Sequence, residues 1–294
     1  MNSEKVNLVK NTFTLTVVML GVWAFLSGLS TGFFGEIVPE SQAPSTLALF
    51  FAIVLANILV LEWYIIRSKI YGQKLFLVLL IEIFGVNFFM PQIETLVFNE
   101  SIGMPMTLVI ALILSGLIVA LVVSRLAVRV FKKQEPDFSL KLNEIFGDKM
   151  NSKLARSFIA LALVYTALYM LFGYFVAWQF VGLREYYSGS TELLSFVEQW
   201  LATLNTNPIA LPLQFFRGLL WAGLAFIAIK TMESEITWEK PIIVGLLMSV
   251  GLSLPILLPQ AYMPAVVRYG HFPELLLENF IFGVIATLIF DNKQ

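Results

Sequence analysis

RLAVRVFKKQEPDFSLKLNEIFGDKMNSKLAR, residues 125–156, decides how the chain is read. It carries eight of the nineteen Lys and Arg residues (Arg125, Arg129, Lys132, Lys133, Lys141, Lys149, Lys153 and Arg156) and separates two runs of apolar segments of similar length. Cations collect on loops that stay on the cytoplasmic side of a membrane. The stretch therefore reads as a basic cytoplasmic linker, 132–156, between a first four-span half, 1–131, and a second, 157–294.

Composition agrees. The chain is 58% hydrophobic and only 13% charged, with a mean hydropathy of +0.82, whereas soluble domains are about one quarter charged. The expected fold class is an all-α integral membrane protein, a polytopic bundle of about eight transmembrane helices. A net charge of -1 leaves no cationic excess for nucleic acid. The absence of Cys removes disulfide and thiolate chemistry, and a single His removes most metal and His-base designs, so neither a metal nor a cofactor is expected. GxxxxGK[ST], HExxH and GxSxG are absent, and Asp137, Asp148 and Asp291 are too scattered for paired aspartate-rich motifs.

About 20 apolar residues cross the hydrocarbon as a helix. Eight stretches approach that length: Phe13–Phe34, Ser45–Ile66, Leu75–Phe98, Met104–Val130, Phe158–Phe180, Ala210–Ile229, Pro241–Pro259 and Pro273–Phe290. The first is too long for a signal-peptide core and lacks a small-residue cleavage site, so it reads as a retained span. The last two are the shortest, which makes seven spans plus a re-entrant hairpin the rival count. With eight spans, sixteen of the nineteen cations fall on one side; Arg184, Arg217 and Arg268 are left near the other, together with most of the glutamates. Both termini are then expected in the cytoplasm, and the protein in the plasma membrane. Trp63, Tyr64, Tyr71 and Trp238 mark the inner boundary, and Trp178, Tyr186, Tyr187, Trp200, Tyr262 and Tyr269 the outer one.

Three local patterns stand out. Leu193, Val197, Trp200 and Leu204 recur at helical spacing within 191–204, which predicts an outer amphipathic helix lying on the membrane or covering the bundle. Phe138–Phe146 has the length of a short surface helix, and Asn99-Glu100-Ser101 matches a glycosylation acceptor. Pro91-Gln92 before Met104-Pro105, and Pro259-Gln260 before Met263-Pro264, hint at duplicated halves; the alternative is that proline commonly punctuates helix ends.

Ionisable groups at membrane depth are costly and usually face an interior or a partner. Arg217, close to Gln214, and Glu278 lie at similar depth in the sixth and eighth spans and suggest an ion pair. Gln260, Arg268, His271 and Glu274 fall in a proline-interrupted stretch at the same level. These seven residues are the ligand-binding candidates, although a register-fixing ion pair and a plain outer loop account for them equally simply. On the other side, Glu82 with Asn57 is a proton-coupling candidate, the alternative being a packed Glu82–Asn57 hydrogen bond; Glu62 is expected to lean toward Arg67. The expected function is binding or translocation of a small solute or lipid through a polar pocket in the extracytoplasmic half, with the lipid bilayer as surroundings. The competing readings are an enzyme acting on a lipid-linked substrate, using His271 or Glu274 as base, and a scaffold subunit docking through the basic loop.

Overall fold

The computed structural model describes residues 3–97, 99–131, 133 and 152–291; the expected helix at Phe138–Phe146 lies outside them. The described chain is all-helical, with eight helices long and apolar enough to cross a membrane. The first four spans are α1 (Ser3–Phe34), α2 (Pro44–Arg67), α3 (Gly72–Phe84) continued by α4 (Met90–Val97), and α5 (Met106–Val130). The second four are α6 (Ser152–Phe175), α9 (Ala210–Thr231), α10 (Glu239–Ser253) and α11 (Ala265–Asp291). Between α6 and α9 lie two short helices, α7 (Val181–Ser188) and α8 (Phe196–Thr206).

Hydrocarbon offers the backbone no partner, so each span closes its own hydrogen bonds as a helix. Its hydroxyls do the same. Thr16, Ser30, Ser124, Thr166, Ser253 and Thr287 each donate to the carbonyl four residues earlier. The seventh span reaches crossing length because α10 runs into a 3-10 turn, Leu254–Leu257, and the eighth begins at Ala265, with Pro273 inside α11. This excludes the re-entrant hairpin and corrects the expectation that the eighth span opens at Pro273. The carbonyl that Pro273 displaces, four residues back, belongs to Tyr269, which is exposed.

The loops alternate between faces as eight spans require. Asn11 on α1 donates to the Val130 carbonyl at the end of α5 (3.0 Å), and Lys240 on α10 pairs with Asp291 at the end of α11 (2.8 Å), so these ends share the face that carries the termini. On the opposite face Tyr174 donates to Leu194 and Tyr186 to Tyr262. On the termini face the chain just after α2 meets the chain just after α9 in an antiparallel bridge, Ser68 with Met232. Lys69 N–H donates to Thr231 (3.0 Å), and Glu233 N–H to Arg67 (2.9 Å). The exchange is reciprocal: the residue after one bridge member binds the residue before the other.

Equal sequence intervals recur on either side of this bridge. The intervals from Pro44 to Ser68 to Pro91 equal those from Pro208 to Met232 to Pro255. Pro91 and Pro255 each break the third helix of their half. A proline displaces the carbonyl four residues before it, which for Pro91 is that of Asn87. The third span accommodates this with a π turn, Gly85–Phe89, and the seventh with its 3-10 turn. Asn87 and Gly251, the corresponding residues four before each proline, touch: a Cβ on Gly251 would stand 2.6 Å from Asn87 Oδ1.

Close helix approach depends on glycine at another crossing. A Cβ on Gly283 of α11 would stand 2.7 Å from the Gly245 Cα of α10, and one on Gly245 would stand 2.8 Å from the Phe280 ring, so neither position has room for a side chain.

Candidate functional site

Between the two halves, on the side away from the termini, lies a cavity of 970 Å³. Its walls come from α1 (Trp23, Ser27), the broken third span (Asn87, Glu94), α5, α6 (Tyr165, Tyr169), α8 (Gln199, Trp200, Thr203), α9 and α11, and its rim reaches exposed Ser188 and Thr206. Beyond the π turn of the third span, α4 carries Glu94, which meets Arg217 of α9 across this space.

Gln214 and Arg217 lie one turn apart on the same face of α9. Arg217, 1% exposed, gives Nη1 to Glu94 Oε1 and to Gln214 Oε1 (2.7 Å), while Gln214 Nε2 donates to the same Glu94 oxygen (2.8 Å). Its guanidinium lies 5.7 Å from the centre of the Tyr165 ring. Arg217 Nε and Nη2 have no hydrogen-bond partner among the described residues. The expected Arg217–Glu278 ion pair is therefore corrected, because Glu94 occupies the guanidinium. Glu278, also 1% exposed, has Glu274, Arg217 and Glu94 as charged neighbours and the Tyr165 hydroxyl beside it, yet neither of its oxygens meets hydrogen-bond geometry with a described residue.

A turn further along α11 toward the rim, His271 Nδ1 meets Glu274 Oε2 at 2.6 Å, and His271 Nε2 meets the Tyr187 hydroxyl at 3.2 Å. Glu274, His271 and Tyr187 all face the cavity. Burial first, then the neighbouring Tyr186, Glu94 and Glu274, push the Tyr187 phenol up, so it stays neutral.

Of the seven candidates read from sequence, Arg217, Gln260, His271, Glu274 and Glu278 line the cavity. Gln214 lies behind it, holding Arg217 and Glu94. Arg268 is spent on backbone, donating to the carbonyls of Met263 (3.2 Å) and Leu257 (2.6 Å). Arg184 likewise binds the carbonyls of Trp178 and Thr191. Two of the three cations on the glutamate-rich face thus bind backbone, and the third lines the cavity.

The aromatic residues assigned to the boundaries divide in the same way. Trp178, Tyr187 and Trp200 turn inward to the cavity, and Tyr64 is buried against Thr231 under the bridge. Segment 191–204 becomes helical only at Phe196, where Ser195 and Glu198 form a reciprocal capping box, and it runs on to Thr206. Trp200 and Thr203 face the cavity while Val197 and Leu201 are exposed, so α8 covers the chamber as a lid.

Toward the termini, Glu82 (2% exposed) borders a separate void of 10 Å³ with Asn57, Asn87 and Gly251. That is room for about one water. The alternative reading, a Glu82–Asn57 hydrogen bond, is not found, since Asn57 Nδ2 donates to Ile53 O (3.0 Å) and both Glu82 oxygens are unpaired among the described residues. Asn87 borders both this void and the large cavity. Glu62 binds Thr12 (2.5 Å) rather than leaning toward Arg67, which pairs with Glu239 at 2.7 Å.

Sequence reasoning missed Glu94, Asn87, Tyr165 and Tyr169. Only Glu94 carried a signal: it lies three residues after Pro91, within the length that a third span needs.

No family model, curated protein or solved structure matches the chain.

Proposed function

We propose that this integral membrane protein binds a small solute or lipid in the cavity between its halves and translocates it, with both termini in the cytoplasm and the cavity opening outward across the plasma membrane. One observation carries the reading: a 970 Å³ chamber, walled by aromatic rings, holds Arg217 and Glu278 almost fully buried with polar atoms unpaired. Ligand sites combine an apolar enclosure with a few convergent polar groups, and charges at membrane depth mark substrate or ion pathways.

The matching proline intervals, the reciprocal bridge and the Asn87–Gly251 contact support two related halves around an axis along the membrane normal. Corresponding residues can touch one another only beside such an axis. Carriers place their sites where broken helices of two repeats meet, and alternating access follows from rocking one repeat against the other. In this reading Glu82 is the proton-coupling group, reached from the chamber through Asn87. Proteoliposome uptake driven by a pH gradient tests it: Glu82→Gln retains binding and loses the gradient dependence, whereas unchanged dependence removes Glu82 from the mechanism.

The His271–Glu274 pair with Tyr187 favours a second reading, a membrane-embedded enzyme in which His271 acts as general base. Native mass spectrometry of the protein, purified in mild detergent with its membrane lipids, separates the two. A carrier releases its bound species unchanged, while an enzyme converts it on incubation. A chain that carries only loosely adhering lipid, lost equally from wild type and Glu278→Gln, contradicts both.

A further inference from the structure

Arg217 and Glu278 face the same chamber, yet they form no ion pair. Arg217 keeps Nε and Nη2 idle, and Glu278 has only the Tyr165 hydroxyl beside it, outside good hydrogen-bond geometry. Burying a donor or an acceptor without a partner costs its lost hydration, and more so when the group is charged. One site therefore lacks an acceptor at Arg217 and a donor at Glu278.

We infer that the chamber takes a zwitterion, a ligand bearing an anionic group for Arg217 and an ammonium group for Glu278. This inference rests on the chamber being a ligand site. An anion alone leaves Glu278 unsatisfied and meets the field of Glu94, Glu274 and Glu278; a cation alone leaves the Arg217 donors idle. The other charged groups are already engaged, Glu94 by Arg217 and Glu274 by His271. A carboxylate or phosphate suits the guanidinium fork, and Tyr169, whose ring lines the chamber, suits an ammonium. Ile102, Met104 and Leu112 form an apolar wall elsewhere in the chamber, suited to an aliphatic remainder. The same chemistry comes from two sources, a free amino acid or the head group of an ethanolamine phospholipid.

Trp23, Trp178 and Trp200 line the chamber, so tryptophan fluorescence reports its occupancy. The full-length protein in detergent is titrated with leucine and phosphoethanolamine, and with two singly charged analogues of leucine, 4-methylpentanoate and isopentylamine. A zwitterion is expected to saturate the signal about tenfold or more tighter than either analogue. Glu278→Gln is expected to weaken the zwitterion about tenfold without weakening 4-methylpentanoate, while Leu288→Ala, at an exposed position of the same helix, changes neither. Nanodiscs of phosphatidylethanolamine against phosphatidylglycerol identify the source: displacement of leucine by the former alone assigns the head group, and no displacement by either assigns the free solute. If Glu278→Gln does not fold, the wild-type ranking decides. An analogue binding as tightly as the zwitterions overturns the ligand class and leaves the chamber a site; no saturable signal from any probe overturns both.

Discussion

Arg217 on α9 and Glu94 on α4 form an ion pair that joins the second half of the chain to the first across the chamber. Removing one member of a buried pair strands the other, at about 3–5 kcal/mol when both are fully desolvated. Glu94 is 27% exposed, which places its loss toward or below the lower end. In detergent, Arg217→Leu and Glu94→Leu should each lower thermal stability, and the double variant should lose less than their sum. Coupling between Arg217 and Glu278 should be much weaker, because they do not touch. A larger coupling for Arg217 with Glu278 than with Glu94 would reverse the assignment.

The α10–α11 crossing depends on Gly245 facing Gly283. Gly283→Ala should destabilise the protein by about 1–3 kcal/mol through overpacking. Gly223→Ala, where a Cβ meets nothing within 4 Å, should be neutral or stabilising. Chemical denaturation of the two variants side by side measures the difference.

The lid helix α8 starts on the Ser195–Glu198 capping box. The hydrogen bonds from the Ser195 hydroxyl and N–H hold the Glu198 carboxyl below its usual range. A carboxyl lowered in the folded state stabilises above its unfolded pKa, and that contribution is lost as pH falls through the folded value. Amide exchange across Phe196–Thr206 should therefore accelerate on acidification below the ordinary carboxylate range, once corrected for intrinsic rates. Ser195→Ala should show that faster exchange already at neutral pH, with the spanning helices unaffected.

Much of the architecture was legible because the bilayer permits few solutions. The eight spans follow from length and apolarity, and their alternation from the cations between them. Partner choice was not legible. Whether Arg217 meets Glu94 or Glu278 depends on how α4, α9 and α11 are rotated, and depth along a helix says nothing about rotation. Proline was informative in kind and misleading in place: Pro273 lies within a continuous helix, while Pro91 and Pro255 sit at the breaks in the third and seventh spans. Boundary aromatics such as Trp178 and Trp200 have the same signature whether they face head groups or a cavity.

Because the chain lacks Cys, orientation can be tested with single introduced thiols. Ser190 and Glu235 are exposed on opposite faces. In intact cells Ser190→Cys should react with an impermeant maleimide, and Glu235→Cys should react only after permeabilisation. The reverse pattern would place the termini outside, and equal labelling of both would contradict the eight-span alternation.

The central claim, a polar chamber reached from the face opposite the termini, is tested most directly by the reaction of Leu275→Cys with a charged methanethiosulfonate. Leu275 lines the chamber on α11, whereas Leu288 on the same helix is exposed on the outside of the bundle at the level of the spans. Modification of Leu275→Cys by reagent added on the Ser190 side, with Leu288→Cys unreactive, is the predicted result. An unreactive Leu275→Cys, or one modified only from the side of the termini, would contradict the account.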